Sequence, residues 1–253
     1  MSKIKEKIIA LIAAVVLVSA SVTGTVLLNA GPEMPSVPET QSMPEPQKII
    51  TSFIDGDTTY IIPEYTGDPY IILNNNKPVF KEFELKTEPY EEYSPLDNLG
   101  RCTLTSAICC VETMPKQGEK RGSISSVTPS GWIQAKYDNI SGKYLYNRCH
   151  LIGWQLTAEN ANKCNLITGT KYLNIDGMLP IENKVAKHVK DDKHYVAYQV
   201  TPIYNGDNLL PLGVQMEVDC VSCNENGTTL NVFCYNVQPG IDIDYKTGAS
   251  KTL

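Results

Sequence analysis

The stretch YNRCHLIGWQL, residues 146–156, sets Arg148, Cys149 and His150 side by side ahead of an apolar run. Four chemistries fit such a cluster: a Cys/His nucleophile pair, half of a zinc site, a structural histidine, or a histidine acting as general base. A thiol nucleophile needs its histidine across a gap, at hydrogen-bond distance from the sulfur. Neighbours on a strand point to opposite faces, so Cys149 and His150 are a poor pair if this stretch is a strand. Cys220-x-x-Cys223 has the spacing of half a zinc knuckle. Cys109-Cys110 lacks the spacing of a matching second pair, so for Cys220 and Cys223 a local disulfide or two ordinary thiols near a turn is the expectation. His150 gains interest from polar residues downstream: Asn165, then Asn174 nine positions on, then Glu182 eight further. Spacing alone leaves the asparagines readable as caps or turns, and Glu182 as a helix-face carboxylate.

The elements around these residues follow from their patterning. IITSFIDGDTTYII predicts a hairpin about Asp55-Gly56-Asp57, and PYIILNNNKPVF predicts a second about its asparagine-rich turn. Residues 98–112 fit either a strand or a buried helix. GWIQAKYDNISGKYLYNRCHLIG predicts two strands joined across Ser141-Gly142, with His150 near the end of the second. From Thr170 the pattern turns helical: Ile181, Val185 and Val189 recur every four residues, with Lys184, Lys187 and Lys190 between them. Pro180 has no N–H to give a helix interior, so it starts this helix or kinks a longer one. HYVAYQVTPIY, LGVQMEVDCV and TTLNVFCYNV predict three further strands.

The net charge of −6 speaks against a polyanion as partner, but the average conceals an asymmetry. Residues 120–193 carry eleven basic and six acidic side chains, whereas 31–119 carry six and fifteen. The basic segment is the one that contains His150, and cations beside a site draw in polyanions even on an acidic protein. Lys3, Lys5 and Lys7 precede an apolar run to Ala30, the pattern of an export segment. Residues 1–30 are accordingly expected to be a signal peptide or an N-terminal membrane anchor, with residues 8–30 meeting the bilayer. The absence of a clean A-x-A site favours the anchor. Residues 31–47 hold five prolines and read as an extended linker. Residues 48–253 are the expected folded domain.

The segment YNRCHLIGWQLTAENANKCNLITGTKYLNIDGMLPIENKVAKHV resembles the active-site region of the DNA/RNA non-specific endonucleases, the ββα-metal or His-Me finger group. It is most similar to the exported bacterial branch that includes DNA-entry nucleases. That family carries Asp-Arg-Gly-His, two asparagines nine apart, and a glutamate eight further on. Arg148, His150, Asn165, Asn174 and Glu182 fall on those positions, and the likeness runs over roughly residues 70–253. Asn147 and Cys149 depart from the family's Asp and Gly.

The resemblance implies an α+β fold, with a ββα-metal core embedded in a mainly antiparallel sheet and flanking helices. It implies a metal-dependent, sequence-non-specific endonuclease acting on DNA and RNA through the phosphate backbone. Such an enzyme works outside the cytoplasm, secreted or anchored to the outer face of the bacterial membrane. On this reading His150 is the general base and Asn174 holds a single Mg²⁺, for which Mn²⁺ can substitute. Glu182 steadies water around the ion, Asn165 orients His150 or its loop, and Arg148 meets phosphate or locks its strand. Lys163, Lys171 and Lys184 are the candidates for tracking the strand, and Trp132 and Trp154 are more readily core than base-stacking. The alternative, kept open by Asn147, is a surface nucleic-acid-binding protein of the same fold with impaired catalysis.

Overall fold

A computed structural model of the chain describes residues 48–55, 58–80, 85–223 and 227–253. The expected export segment and linker, and the turn at residues 56 and 57, lie outside the described residues. Twelve strands are described: β1 (Ile49–Asp55), β2 (Thr58–Pro63), β3 (Tyr70–Ile72), β4 (Tyr90–Tyr93), β5 (Thr105–Cys109) and β6 (Tyr146–His150). After these come β7 (Leu166–Thr170), β8 (Val196–Ile203), β9 (Gly213–Cys220), β10 (Leu230–Tyr235), β11 (Ile241–Ile243) and β12 (Ser250–Thr252). The helices are α1 (Trp154–Thr157) and α2 (Leu179–Asp192). Among the described residues no helix is long and apolar enough to cross a membrane.

The three C-terminal runs form the expected antiparallel meander, and it is the centre of a six-stranded sheet ordered β3-β10-β9-β8-β5-β4. Period two decides which side each residue covers. In β10, Val232 and Cys234 join the main core under α2, while Phe233 and Tyr235 pack on the other face with Tyr60 and Ile62 of the β1–β2 hairpin. A sheet covered on both faces accounts for β5, a strand buried at all five positions, where the sequence fitted strand or helix equally. The second expected hairpin does not form. β3 pairs with β10 instead, and Asn74, Asn75 and Asn76 turn the chain with φ of 44°, 52° and 61°. Asparagine tolerates this left-handed region, so the run makes a tight turn without a returning strand.

The strand carrying His150 is part of a separate two-stranded ribbon, β6–β7, in the register Asn147↔Gly169 and His150↔Leu166. The expected first arm of its hairpin narrows to one bridge between Lys136 and Tyr144. Asn236 docks the ribbon on the sheet end: its Oδ1 accepts from the Thr170 amide at 2.8 Å, and its Nδ2 donates to the carbonyls of Thr168 and Pro211. The chain then enters a π-wound turn, Leu173–Met178, that runs directly into α2. Pro180 stands in the first turn of α2, where its ring and missing N–H would disturb a regular helix. The wider winding just before it accommodates the proline: the Leu179 amide bonds back five residues, to the Asn174 carbonyl. Ile181, Val185 and Val189 face the sheet as their spacing predicts, each burial worth roughly 1.5–3 kcal/mol. Ribbon, π-turn and α2 make the ββα unit, and the whole is α+β.

Candidate functional site

Between the ribbon and the start of α2 lies a cleft of about 420 Å³. Four of the five residues singled out by the motif line it: Arg148 and His150 from β6, Asn174 from the π-turn, and Glu182 from α2. Alternation along β6 sends Cys149 into the core with no exposure, where burial pushes its thiol well above the ordinary range. Its sulfur is seated against Gly169, whose missing Cβ would stand 2.4 Å from Sγ. Cys149 has no positive φ, so a non-glycine residue is unstrained there. The thiol is a packing group.

Both ring nitrogens of His150 are engaged. Nε2 lies 2.7 Å from the Asn160 carbonyl, and Nδ1 lies 3.1 Å from Nη2 of Arg121. A carbonyl only accepts and a guanidinium only donates, so Nε2 carries the proton and Nδ1 presents its lone pair. Burial is the larger cause, and the Arg121 charge adds to it, in lowering the imidazole pKa from 6.5 to about 4; the Asn160 carbonyl opposes them. The ring is neutral at pH 7.

Asn165 does not reach the cleft. It is fully buried, with Oδ1 accepting from the Ile152 amide at 2.9 Å and Nδ2 donating to the Ile152 carbonyl at 3.0 Å. This two-way bond fixes the turn between His150 and Gly153. Glu182 is 9% exposed, and burial raises its pKa from 4.5 to about 7 against the lowering effects of Gln155 and Arg121. Gly153 makes room for it: a Cβ there would lie 2.6 Å from Oε2 and 3.0 Å from Oε1. With φ of −62° the glycine answers to this close approach, not to backbone conformation.

Arg148 is held from above, its Nε donating to the Val127 carbonyl and its guanidinium lying 4.2 Å from the Trp132 ring centroid. Trp132 packs on a cluster with Leu145, Tyr146 and Leu210, as a core tryptophan does, while Trp154 lines the cleft. The three lysines are elsewhere. Lys163 borders a separate recess beside Val127 and Leu166, Lys171 donates to the Ser141 carbonyl, and Lys184 stands exposed on α2. The cations of the cleft are Arg121 and Arg148.

Arg121 carries no motif signal in the sequence, although it stands near the start of the basic segment, 29 residues before His150. The Asn160 carbonyl left no signal at all, since any residue could supply it.

As a metal site the cleft offers hard oxygen donors. The Asn174 side chain makes no hydrogen bond among the described residues, and the Glu182 carboxylate is at hand in the same cleft. One amide oxygen, one carboxylate and space for water suit Mg²⁺, which keeps much of its water shell; His150, with both nitrogens engaged, adds no ligand.

The family model for DNA/RNA non-specific endonucleases matches residues 82–222. Among solved structures, NucA from Streptococcus agalactiae with magnesium bound superposes with a TM-score of 0.65 at 23% identity, over 75% of this chain and 90% of that one. Sda1 nuclease with a bound zinc ion gives 0.56 at 28% identity, over 65% and 80%. A structure described as an extracellular endonuclease gives 0.53 at 22% identity, over 74% and 99%.

Proposed function

The chain belongs to the DNA/RNA non-specific endonuclease family, and from that premise we propose that His150 is the general base of its phosphodiester hydrolysis and Asn174 the side chain that holds a single Mg²⁺. Membership makes it a metal-dependent nuclease that works on the nucleic-acid backbone. The observation that carries the residue assignment is the placement of His150: Nε2 held by the Asn160 carbonyl, Nδ1 facing Arg121, and the ring in one cleft with Asn174 and Glu182.

A phosphate entering the cleft meets Arg121, whose guanidinium shifts its donors to the phosphate oxygens and frees Nδ1. His150 then accepts a proton from the attacking water, a contribution of about 10²–10⁴ in rate for a positioned base. The ion, when bound, supplies positive charge against the phosphate and acidifies water near the leaving oxygen. Glu182 accepts hydrogen bonds from that water, Arg148 keeps β6 fixed to the loop above it, and Asn165 keeps His150 aimed. Phosphate contacts carry no base information, so a cleft of two arginines, an amide and a carboxylate serves DNA and RNA alike.

The alternative, a binding protein of impaired catalysis, rests on Asn147, which lines the same cleft as His150, Asn174 and Glu182; the cutting assay separates the two readings. Residues 1–30 as an export segment or anchor, 31–47 as a linker and 48–253 as the nuclease domain complete the proposal, with the enzyme acting outside the cell. Incubating purified protein with supercoiled plasmid and Mg²⁺ tests it. Degradation is expected for the wild type and its loss for His150→Ala and in EDTA. Undiminished cutting by a folded His150→Ala protein would refute the base assignment.

A further inference from the structure

The two histidines the nuclease cleft does not use lie together at the far end of α2. His188 is in its last turns and His194 just beyond, with ring centroids 4.7 Å apart. Nε2 of His188 lies 3.3 Å from Sγ of Cys220 and 3.1 Å from Sγ of Cys223, which form a disulfide. Its Nδ1 lies 3.1 Å from Oδ2 of Asp192. Gly227 closes the other side: a Cβ there would stand 2.8 Å from the Cys220 Cβ and 3.0 Å from the Cys223 Cβ.

These are the residue types of a metal centre. In the tautomer whose Nδ1–H donates to the Asp192 carboxylate, Nε2 is a bare lone pair aimed at two sulfurs. A disulfide has no proton to give that lone pair, whereas a cation between the three atoms satisfies all of them. Metal-binding histidines characteristically hand their second N–H to a carboxylate in this way. With ordinary zinc bond lengths and tetrahedral angles, nitrogen and sulfur ligands stand about 3.6 Å apart, close to the separations seen here. Nε2 of His188 is thus within one ion's reach of both sulfurs, which the disulfide holds at bonding distance and which reduction frees to move apart.

We propose that Cys220, Cys223 and His188 form a second metal site, taking Zn²⁺ or another thiophilic divalent cation when the disulfide is reduced. Two small-molecule thiols reduce the Cys220–Cys223 bond, yielding two cysteine thiols and one external disulfide. Zn²⁺ then replaces the two thiol protons, which leave to solvent, and water fills the fourth position. The consequence is mechanical. The disulfide joins residues three apart in one turn, but the metal fastens that turn to α2, the helix that carries Glu182.

Cobalt(II) is the probe, since thiolate-to-cobalt charge-transfer absorption cannot arise from the cysteine-free nuclease cleft. Reduced wild-type protein is expected to bind one equivalent with that band, displaced by Zn²⁺, and to gain thermal stability on adding Zn²⁺. Oxidised protein and the Cys220→Ser/Cys223→Ser double variant are expected to lack the band and to gain less stability from Zn²⁺ than the reduced wild type. Asp192→Asn, a change at a half-exposed position, should weaken binding about 10- to 100-fold while leaving the band in place. Absence of the band in reduced, folded wild type, its persistence in the double variant, or unaltered affinity in His188→Ala would each overturn the site.

Discussion

Nη2 of Arg121 stands 3.1 Å from Nδ1 of His150, a fixed cation against the nitrogen proposed to accept the proton of the attacking water. The imidazole is therefore kept neutral by its neighbour as well as by its burial. The acid limb of kcat/KM should lie near pH 4, where His150 titrates, instead of near 6.5. Arg121→Ala removes a positive charge, so the imidazole binds its proton more readily and the limb moves up in pH. It stays below 6.5, because burial is the larger cause. A pH–rate profile of both proteins reads the shift, and a lost phosphate contact should lower the rate about 10²-fold in addition.

Glu182→Gln should trade activity for stability. The folded-state pKa of about 7 lies above the carboxylate's 4.5, so the native protein holds a proton that the unfolded chain has released. This penalty grows as pH rises from 4.5 and is fully present above 7, on the order of 3 kcal/mol. Urea unfolding in EDTA at pH 8 should show the variant as the more stable protein, with the difference gone at pH 4. Plasmid degradation should fall.

Gly153→Ala tests the fit around that carboxylate. The added methyl would sit 2.6 Å from Oε2, so Glu182 must move. Stability should drop by about 1–3 kcal/mol, as overpacked positions do, and more Mg²⁺ should be needed for half-maximal rate. An alanine that leaves both unchanged would mean that the carboxylate has room to spare.

Charge removal should separate cleft from surface. Log–log plots of affinity against salt are expected to lose slope in Arg121→Ala, by about one contact's worth. A triple alanine variant at Lys163, Lys171 and Lys184 should keep most of the cutting rate, since none of the three lines the cleft.

Much of this was readable in advance, for physical reasons. The four-residue spacing of Ile181, Val185 and Val189 could only be satisfied by a helix lying on something apolar, and α2 does so. The three C-terminal strands were equally plain, because β-branched and aromatic runs broken by turns have few other uses. The NNN turn misled because its partner strand, β10, lies more than 150 residues away, and local sequence holds no trace of that pairing. The motif singled out His150, Asn174 and Glu182, and the fold brings them into one cleft. It could not reveal Arg121, which reaches the imidazole only after a long loop folds back, nor that His188 meets Cys220 and Cys223.

The π-turn has a geometric consequence for the motif itself. Eight residues along a regular α-helix turn through two revolutions plus about 80°, which would set Asn174 and Glu182 on different flanks. A π-turn amounts to one surplus residue in the winding, so the pair are separated by seven effective steps and fall within about 20° of one another. The interval of eight is thus a coiled-in seven. A helix of uniform pitch with the same sequence would direct the amide and the carboxylate away from each other, and Pro180 is the residue that stands against that uniform pitch.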